Sequence, residues 1–234
     1  TSPQINTGGA AHSIANDLIL AATLGLTNST DLSLTGSVTG AGAITKTGAG
    51  TLAMPGAPLN GGGIAINTGT LQIGTGAPLV VSGNFGGDVV NNGTLVVNND
   101  AGGFFVVLKG LSGTGDLVKN GTGTLNSIGP IWTHSGNTTL NAGTIAASIN
   151  STGQLTVNGG NIETGGSSYG SLAGSGGTIN INSGAFTVGG DNSSTTWSGT
   201  FGAVAGDLVK VGTGTLTLTG AQLNTGSTPA AVTI

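Results

Sequence analysis

One eleven-residue pattern recurs three times in this chain of 234 residues. It has the form G-x-[LI]-x-K-x-G-x-G-T-L and occupies Gly42–Leu52, Gly115–Leu125 and Gly206–Leu216. A shorter element, N-x-G-T-L or a variant of it, follows the first two copies at 67–71 and 141–145. The leucine of the first copy and that of the shorter element are 19 residues apart. Recurrence at this interval is typical of a solenoid, in which each unit stacks on the next.

Apolar residues alternate with small or polar ones inside each unit. Ile64 and Ile66, Leu95 and Val97, and Ile179 and Ile181 each skip one position. A period of two indicates strands with one apolar face, which stacking into coils about 4.8 Å apart would bury. The sequence therefore predicts an all-β fold, a solenoid of about ten coils of parallel strands. We expect one domain over 1–234, with repeat units at 42–71, 115–145 and 206–234.

The composition limits what such a chain can bind. It contains 48 glycines, no cysteine, four lysines and no arginine, and 5% of its residues are charged. The hydrophobic share of 36% with a net charge of only -4 argues against disorder. Too few cations are present for a nucleic-acid surface, and disulfides are excluded. A surface this close to neutral favours association with other molecules.

The long motif followed by N-x-G-T-L resembles the autotransporter-associated β-strand repeat of bacterial autotransporter passengers and related large surface proteins. The resemblance covers 11–71, 107–145 and 198–234, whereas 146–197 is only compatible with it. The resemblance implies a right-handed parallel β-helix (solenoid) outside a cell, and that family supplies no catalytic residues. The third copy reaches Ile234 where its shorter element would begin.

Three of the four lysines, Lys46, Lys119 and Lys210, hold the same position in the long motif. Strict alternation would turn each of them inward, two residues after an apolar side chain. Because burying an ammonium group is costly, we expect each lysine at a corner with its head in water. Asp116 and Asp207, three residues earlier in two copies, are the expected partners.

The sequence predicts no enzyme, no cofactor and no metal site. Ser168 lies in a G-x-S-x-G pattern. A nucleophile elbow requires a helix after the serine, and no helical periodicity follows Ser168. His12 and His134, the two histidines, are far apart, and Glu163 is the single glutamate. A paired acid and base cannot be located.

Aromatic residues are the remaining candidates for a site. Ile131 and Trp132 follow Pro130 in a spacer where a loop would project, and Trp197 and Tyr169 are further candidates for partner contact. The alternative interpretation of these side chains is packing in the core or in loops.

Two functions remain open. The first is an extracellular structural subunit of a self-assembling filament, sheath or surface layer. Its partners would be further copies of the chain, joined end to end or by strand donation at Thr1, Ile5, Val232 and Ile234. The alternative is an adhesin or autotransporter passenger fragment that displays a binding surface to a host or neighbouring cell or to a glycan. Both place the chain outside a bacterium or on its surface, without nucleic acid and without membrane insertion by this segment.

Overall fold

The alternating segments of the sequence form short β-strands of two to five residues. The computed structural model describes residues 3–56, 61–75, 83–100, 105–220 and 232–233, and every regular element in these ranges is a strand. Within them, no helix is long and apolar enough to cross a membrane. The strands are β1 (Gln4–Thr7), β2 (His12–Ile14), β3 (Leu18–Ile19), β4 (Leu24–Asn28), β5 (Leu32–Leu34), β6 (Val38–Thr39), β7 (Ile44–Thr47), β8 (Thr51–Met54), β9 (Ile64–Ile66), β10 (Thr70–Ile73), β11 (Gly83–Asn84), β12 (Val89–Asn91), β13 (Thr94–Asn98), β14 (Phe105–Leu108), β15 (Leu111–Ser112), β16 (Asp116–Asn120), β17 (Thr124–Ser127), β18 (Thr138–Leu140), β19 (Thr144–Ala146), β20 (Gln154–Val157), β21 (Asn161–Thr164), β22 (Ser167–Tyr169), β23 (Ser171–Ala173), β24 (Thr178–Ile181), β25 (Ala185–Val188), β26 (Thr195–Trp197), β27 (Thr200–Val204), β28 (Asp207–Lys210), β29 (Leu216–Leu218) and β30 (Val232–Thr233).

Each strand pairs in parallel with the strand at the same position in the next coil, so the strands form three stacks. The first stack runs β1-β4-β7-β9-β12-β15 and resumes as β22-β25-β28-β30. Bridges between Trp132 and Ile149 and between Asn150 and Ser168 continue it between those groups. The second stack runs β2-β5-β8-β10-β13-β16-β18-β20-β23, then β26-β29, and the third comprises β3-β6 and β11-β14-β17-β19-β21-β24-β27. The predicted parallel β-solenoid of about ten coils is confirmed.

The core consists of columns of apolar side chains that repeat from coil to coil. In the second stack, Leu52, Leu71, Leu95 and Leu117 follow one another in register and are 0% exposed. A slip of one residue would turn every one of these side chains to solvent, so the alternation fixes the register. Burying each Leu contributes about 1.5–3 kcal/mol.

Carboxylates at the coil corners hold the next coil. Each of four aspartates accepts a hydrogen bond on its Oδ1 from a backbone N–H group 20 to 22 residues further along. The pairs are Asp17 with Ser37, Asp31 with Thr51, Asp100 with Thr122, and Asp116 with Asn137. These aspartates therefore satisfy turn amides that strand pairing leaves free.

Candidate binding surface

The two parts of the sequence repeat lie on adjacent coils, one on top of the other. Thr51 and Leu52 of the long motif pair with Thr70 and Leu71 of the shorter element in the second stack. The second repeat makes the same arrangement in the third stack, where Thr124–Ser127 pairs with Thr144–Ala146. The repeat is thus a two-coil unit that is not confined to one stack.

Lys46 lies inside the core. It is 0% exposed and stands in register between Leu26 and Ile66 of the neighbouring coils. Its Nζ donates hydrogen bonds to the carbonyl oxygens of Gly48 at 2.9 Å and Thr68 at 3.1 Å. Thr68 belongs to the shorter element of the next coil, so the ammonium joins the two parts of the repeat. Burial lowers the pKa of Lys46.

Lys119 occupies the equivalent place in the second repeat. It is 0% exposed and its Nζ donates to the carbonyl oxygens of Asn120, of Gly121 at 2.8 Å and of Ala142 at 3.5 Å. Burial lowers its pKa to about 8, against the opposing effect of the Asp100 charge. Ala142 lies in the shorter element of the next coil, as Thr68 does in the first repeat.

Lys210 in the third copy is partly exposed. Its Nζ donates to the carbonyl oxygens of Val211 at 2.6 Å and Gly212 at 3.3 Å. The turn after the lysine therefore supplies acceptors in all three copies.

The expectation that these lysines extend into water is wrong for Lys46 and Lys119. The turns that follow them contain Gly48 at φ 86° and Gly121 at φ 70°, whose carbonyl oxygens accept from the ammonium groups. These hydrogen bonds offset part of the cost of removing the charge from water, and the lowered pKa values reflect the part that is left. Asp116 is not the partner of Lys119 in this arrangement, because it accepts from the next coil.

The aromatic candidates for partner contact belong to the core. Trp132 and Trp197 are 0% exposed and Tyr169 is 3% exposed. Trp197 packs edge-on against Phe201 with ring centroids 4.9 Å apart, and its Nε1 donates to the carbonyl oxygen of Gly176. All three rings point inward, Trp197 and Tyr169 from strands and Trp132 from its bridge to Ile149, which corrects the expectation of a projecting aromatic loop. Only Ile131, 50% exposed, lies on the surface among the four candidates.

The candidate assembly ends are only partly described. Thr1 and Ile234 lie outside the described residues. Ile5 is half-buried on β1 and packs against the core. The backbone of Val232 pairs in parallel with Leu208. The assignment of these residues to assembly stays a prediction.

The residues weighed for catalysis have structural contacts. Ser168 lies within β22 and its Oγ donates to Oδ1 of Asn150 at 3.1 Å. His134 is buried, its Nε2 lies 2.9 Å from Oγ1 of Thr138, and burial lowers its pKa to about 4. No group of three His, Cys, Asp or Glu side chains that could hold a metal occurs in the described part of the chain.

A change in turn length creates a groove at the corner between the third and first stacks. Residues 128–131 connect β17 to Trp132, whereas only 147–148 connect β19 to Ile149 in the next coil. The turn after that, 165–166, is equally short. The two shorter turns, in the two coils that follow the longer turn 128–131, do not extend as far from the core. They leave a recess that we call the step groove.

The step groove runs along the helix axis across four coils and has a volume of about 400 Å³. Its lining is mostly small side chains and backbone, with an aliphatic wall at one end and one carboxylate. The lining residues are Ser127, Gly129, Pro130, Ile131, Ala146, Ala147, Ser148, Glu163, Thr164, Gly165 and Asn182.

Glu163 provides that carboxylate. It lies on the outer face of β21, in register between Ala146 and Asn180. Its Oε1 accepts from Nδ2 of Asn180 at 2.6 Å, and its Oε2 accepts from Nδ2 of Asn182 at 3.1 Å. Both amides belong to the next coil, so the carboxylate is held in one orientation at the groove.

Glu163 is the single glutamate of the sequence, and no role is predicted for it from the sequence. A signal was present in the spacing of the repeats. The apolar residues Leu125 and Ile145 are 20 residues apart, but Ile145 and Ile162 are 17 apart, and these residues pair in the third stack. A coil shortened by three residues with its strands intact must have shorter turns.

Comparison with known proteins shows a similarity to a bacterial surface protein. The chain is 37% identical over 147 residues to the "Adhesin BmaC autotransporter" of Brucella suis biovar 1 (strain 1330). The matched part is 51% of this chain and 4% of that protein, so the chain spans a small fraction of its relative. No family model matches the chain, and no solved structure matches it. The similarity and the β-solenoid together fit the passenger β-helix of an autotransporter, as the repeat motif predicted.

Proposed function

We propose that this chain is part of an adhesin, a segment of an autotransporter passenger that displays a binding surface from a rod outside a bacterial cell. The observation that carries the proposal is the 37% identity over 147 residues to an autotransporter adhesin. The parallel β-solenoid supports it, since stacked coils present a long lateral surface suited to contact with a partner. The similarity itself suggests a bacterial surface or extracellular location.

The proposal assigns no catalysis to the chain. Four carboxylates of the chain support this view, because they accept hydrogen bonds from backbone N–H groups of the next coil. They belong to Asp17, Asp31, Asp100 and Asp116. A carboxylate used in this way stabilises the coil stack and is poorly placed to act as an acid or base.

Self-assembly into a filament, sheath or surface layer was the first expectation from the sequence. The relative is named as an adhesin, and this favours display of a binding surface over assembly into a polymer. End-to-end contacts stay a prediction that sedimentation of the purified chain can test.

An adhesion experiment tests the proposal directly. The full chain is displayed on a non-adherent laboratory bacterium, and the bacteria retained on cultured epithelial cells are counted after washing. The control displays an unrelated β-solenoid of similar length on the same carrier. We expect several-fold higher retention with this chain. Retention equal to the control, with the purified chain sedimenting as polymers, would instead support the filament subunit.

A further inference from the structure

We propose that the step groove binds a basic side chain, arginine in particular, on a partner protein. The proposal rests on the adhesin function and names the chemistry that one of its sites would recognise. Glu163 would accept the guanidinium group, and the aliphatic wall formed by Pro130 and Ile131 would contact the methylene stem.

The hydrogen bonds of Glu163 differ from those of the aspartates at the corners. Asp31 and Asp116 accept from backbone N–H groups that would otherwise lack a partner. Glu163 accepts only from two asparagine side chains in the hydrogen bonds described. The outer face of this strand needs no carboxylate to complete its backbone pairing, so the contacts of Glu163 are not explained by support of a turn.

The carboxylate keeps capacity for a ligand. An ionised carboxylate has about four lone-pair sites, and Asn180 and Asn182 occupy one on each oxygen. The remaining site on each oxygen suits the paired N–H groups of a guanidinium, which bind carboxylates in a two-pronged arrangement. Because both oxygens are already fixed, little side-chain entropy is lost when the ligand binds.

The groove also matches the shape of an arginine side chain. Ile131 is 50% exposed and Pro130 is exposed beside it, at the end of the groove below Glu163. Long basic side chains pack their methylene stems on apolar surfaces while the charged head binds elsewhere. The wall and the carboxylate lie in one groove, so a single side chain can contact both.

Charge complementarity selects a cation over a neutral ligand. Glu163 is the one charged residue among those that line the groove. No aromatic side chain lines it to stack against a sugar ring. The negative charge therefore stands without a cation in the lining, which favours a basic group from a partner.

A titration followed by nuclear magnetic resonance tests this assignment with the full chain. The probe is N-acetyl-arginine amide, and the matched control is N-acetyl-citrulline amide, which has the same shape without the charge. We expect the arginine probe to shift backbone amide signals of Ala147, Glu163 and Asn182, and the citrulline probe to leave them in place. Raising the salt concentration from about 0.01 M to about 1 M should weaken the arginine effect, because salt screens exposed charges.

Two variants locate the binding. Glu163→Gln keeps the size of the side chain and should weaken arginine binding about tenfold or more. Asp88→Asn removes one exposed charge outside the groove and should change nothing. Ile131→Ser, which retains the carboxylate, should weaken binding severalfold. The spectra themselves report whether each variant is folded.

Equal shifts from the citrulline probe would overturn the proposal, as would binding that survives Glu163→Gln or falls equally in Asp88→Asn. Shifts produced by methyl glucoside but not by the arginine probe would make the groove a sugar site and also overturn it. Adhesion that persists in Glu163→Gln, together with a negative titration, would reject this site and leave the adhesin function standing. If the unmodified chain gives no more adhesion than the control solenoid but the titration is positive, only the adhesin function is rejected.

Discussion

The ammonium of Lys46 donates a hydrogen bond to the carbonyl oxygen of Thr68, 3.1 Å away and 22 residues further along the chain. This contact explains why a lysine and a following N-x-G-T-L element occur together in the repeat. The lysine satisfies carbonyl groups in two stacked turns, which glycines at positive φ bring together. The repeat therefore encodes a junction between coils as well as two strands.

Removing the buried ammonium groups should destabilise the fold. Lys46→Met and Lys119→Met retain most of the side-chain volume and leave buried carbonyl groups without a donor. We expect each to lower the free energy of unfolding by about 1–3 kcal/mol, measured by equilibrium unfolding in urea. Lys109→Met, at an exposed position, is the control and should have little effect. Unfolding midpoints that match the control would show that the lysines do not stabilise the coils.

Lys119 should make the protein more stable at alkaline pH. Its pKa is about 8 in the folded state, below the 10.5 of an ordinary lysine. Between these values the unfolded chain binds a proton that the folded chain does not, so stability rises with pH. The stabilisation is complete above 10.5 and is lost as the pH falls through 8. Urea midpoints at several pH values would show this rise, and it should be smaller in Lys119→Met.

His134 should make the protein less stable in acid. Burial lowers its pKa from 6.5 to about 4, so the folded chain holds the imidazole neutral where the unfolded chain protonates it. The loss begins below 6.5 and is complete near 4, with a size of about 3 kcal/mol. His134→Phe should reduce the slope of stability against pH in this range, whereas His12→Gln, at an exposed position, should retain it. Identical slopes in the two variants would contradict the assignment.

The close stacking of the turn at Gly143 on the turn at Gly123 should require glycine at position 143. Its φ is 74°, and an added Cβ would lie 2.3 Å from the carbonyl oxygen of Gly123. Gly143→Ala should therefore lower the free energy of unfolding by about 1–3 kcal/mol or more. Gly190→Ala is the matched control, because nothing lies within 4 Å of the added atom there. Thermal unfolding followed by circular dichroism would compare the two, and equal midpoints would count against a tight junction.

Trp132 should contribute to the stability of the fold and should not contribute to partner contact. Trp132→Ala removes a fully buried ring and should cost about 3–5 kcal/mol. Trp132→Phe should cost less, because the buried indole N–H has no hydrogen-bond acceptor in the described structure. Adhesion by Trp132→Phe should equal that of the unmodified chain at a temperature where both are folded. A selective loss of adhesion in this variant would return Trp132 to the list of contact residues.

The repeat motif and the alternation of apolar residues were sufficient to predict the coils. Leu52, Leu71 and Leu95 pair in register as their spacing implies, since period-two strands have one way to bury their apolar face. The same alternation pointed Lys119 inward. The high cost of a charge in a core argues against that orientation when only the sequence is considered. The carbonyl groups that accept hydrogen bonds from Lys119 come from stacked turns, and the sequence does not show which turns stack.

The candidate site was harder to predict from the sequence. Glu163 and Asn182 are 19 residues apart and meet only because one coil stacks on the other. The groove depends on the difference in length between the turns 128–131 and 147–148, which affects shape without altering the strand pattern. The aromatic residues are candidates for partner contact in the sequence, yet Trp132 and Trp197 are buried in the core as large apolar groups.

The hydrogen bonds between coils run along the long axis of the solenoid. A pulling force applied to the two ends of the described rod would therefore load the coils in series, and the weakest junction would open first. Lys46 and Lys119 reinforce two of these junctions with bonds that resist extension in the same direction. A surface rod of this design would yield at unreinforced coils and lengthen stepwise under shear, with its reinforced junctions the last to open.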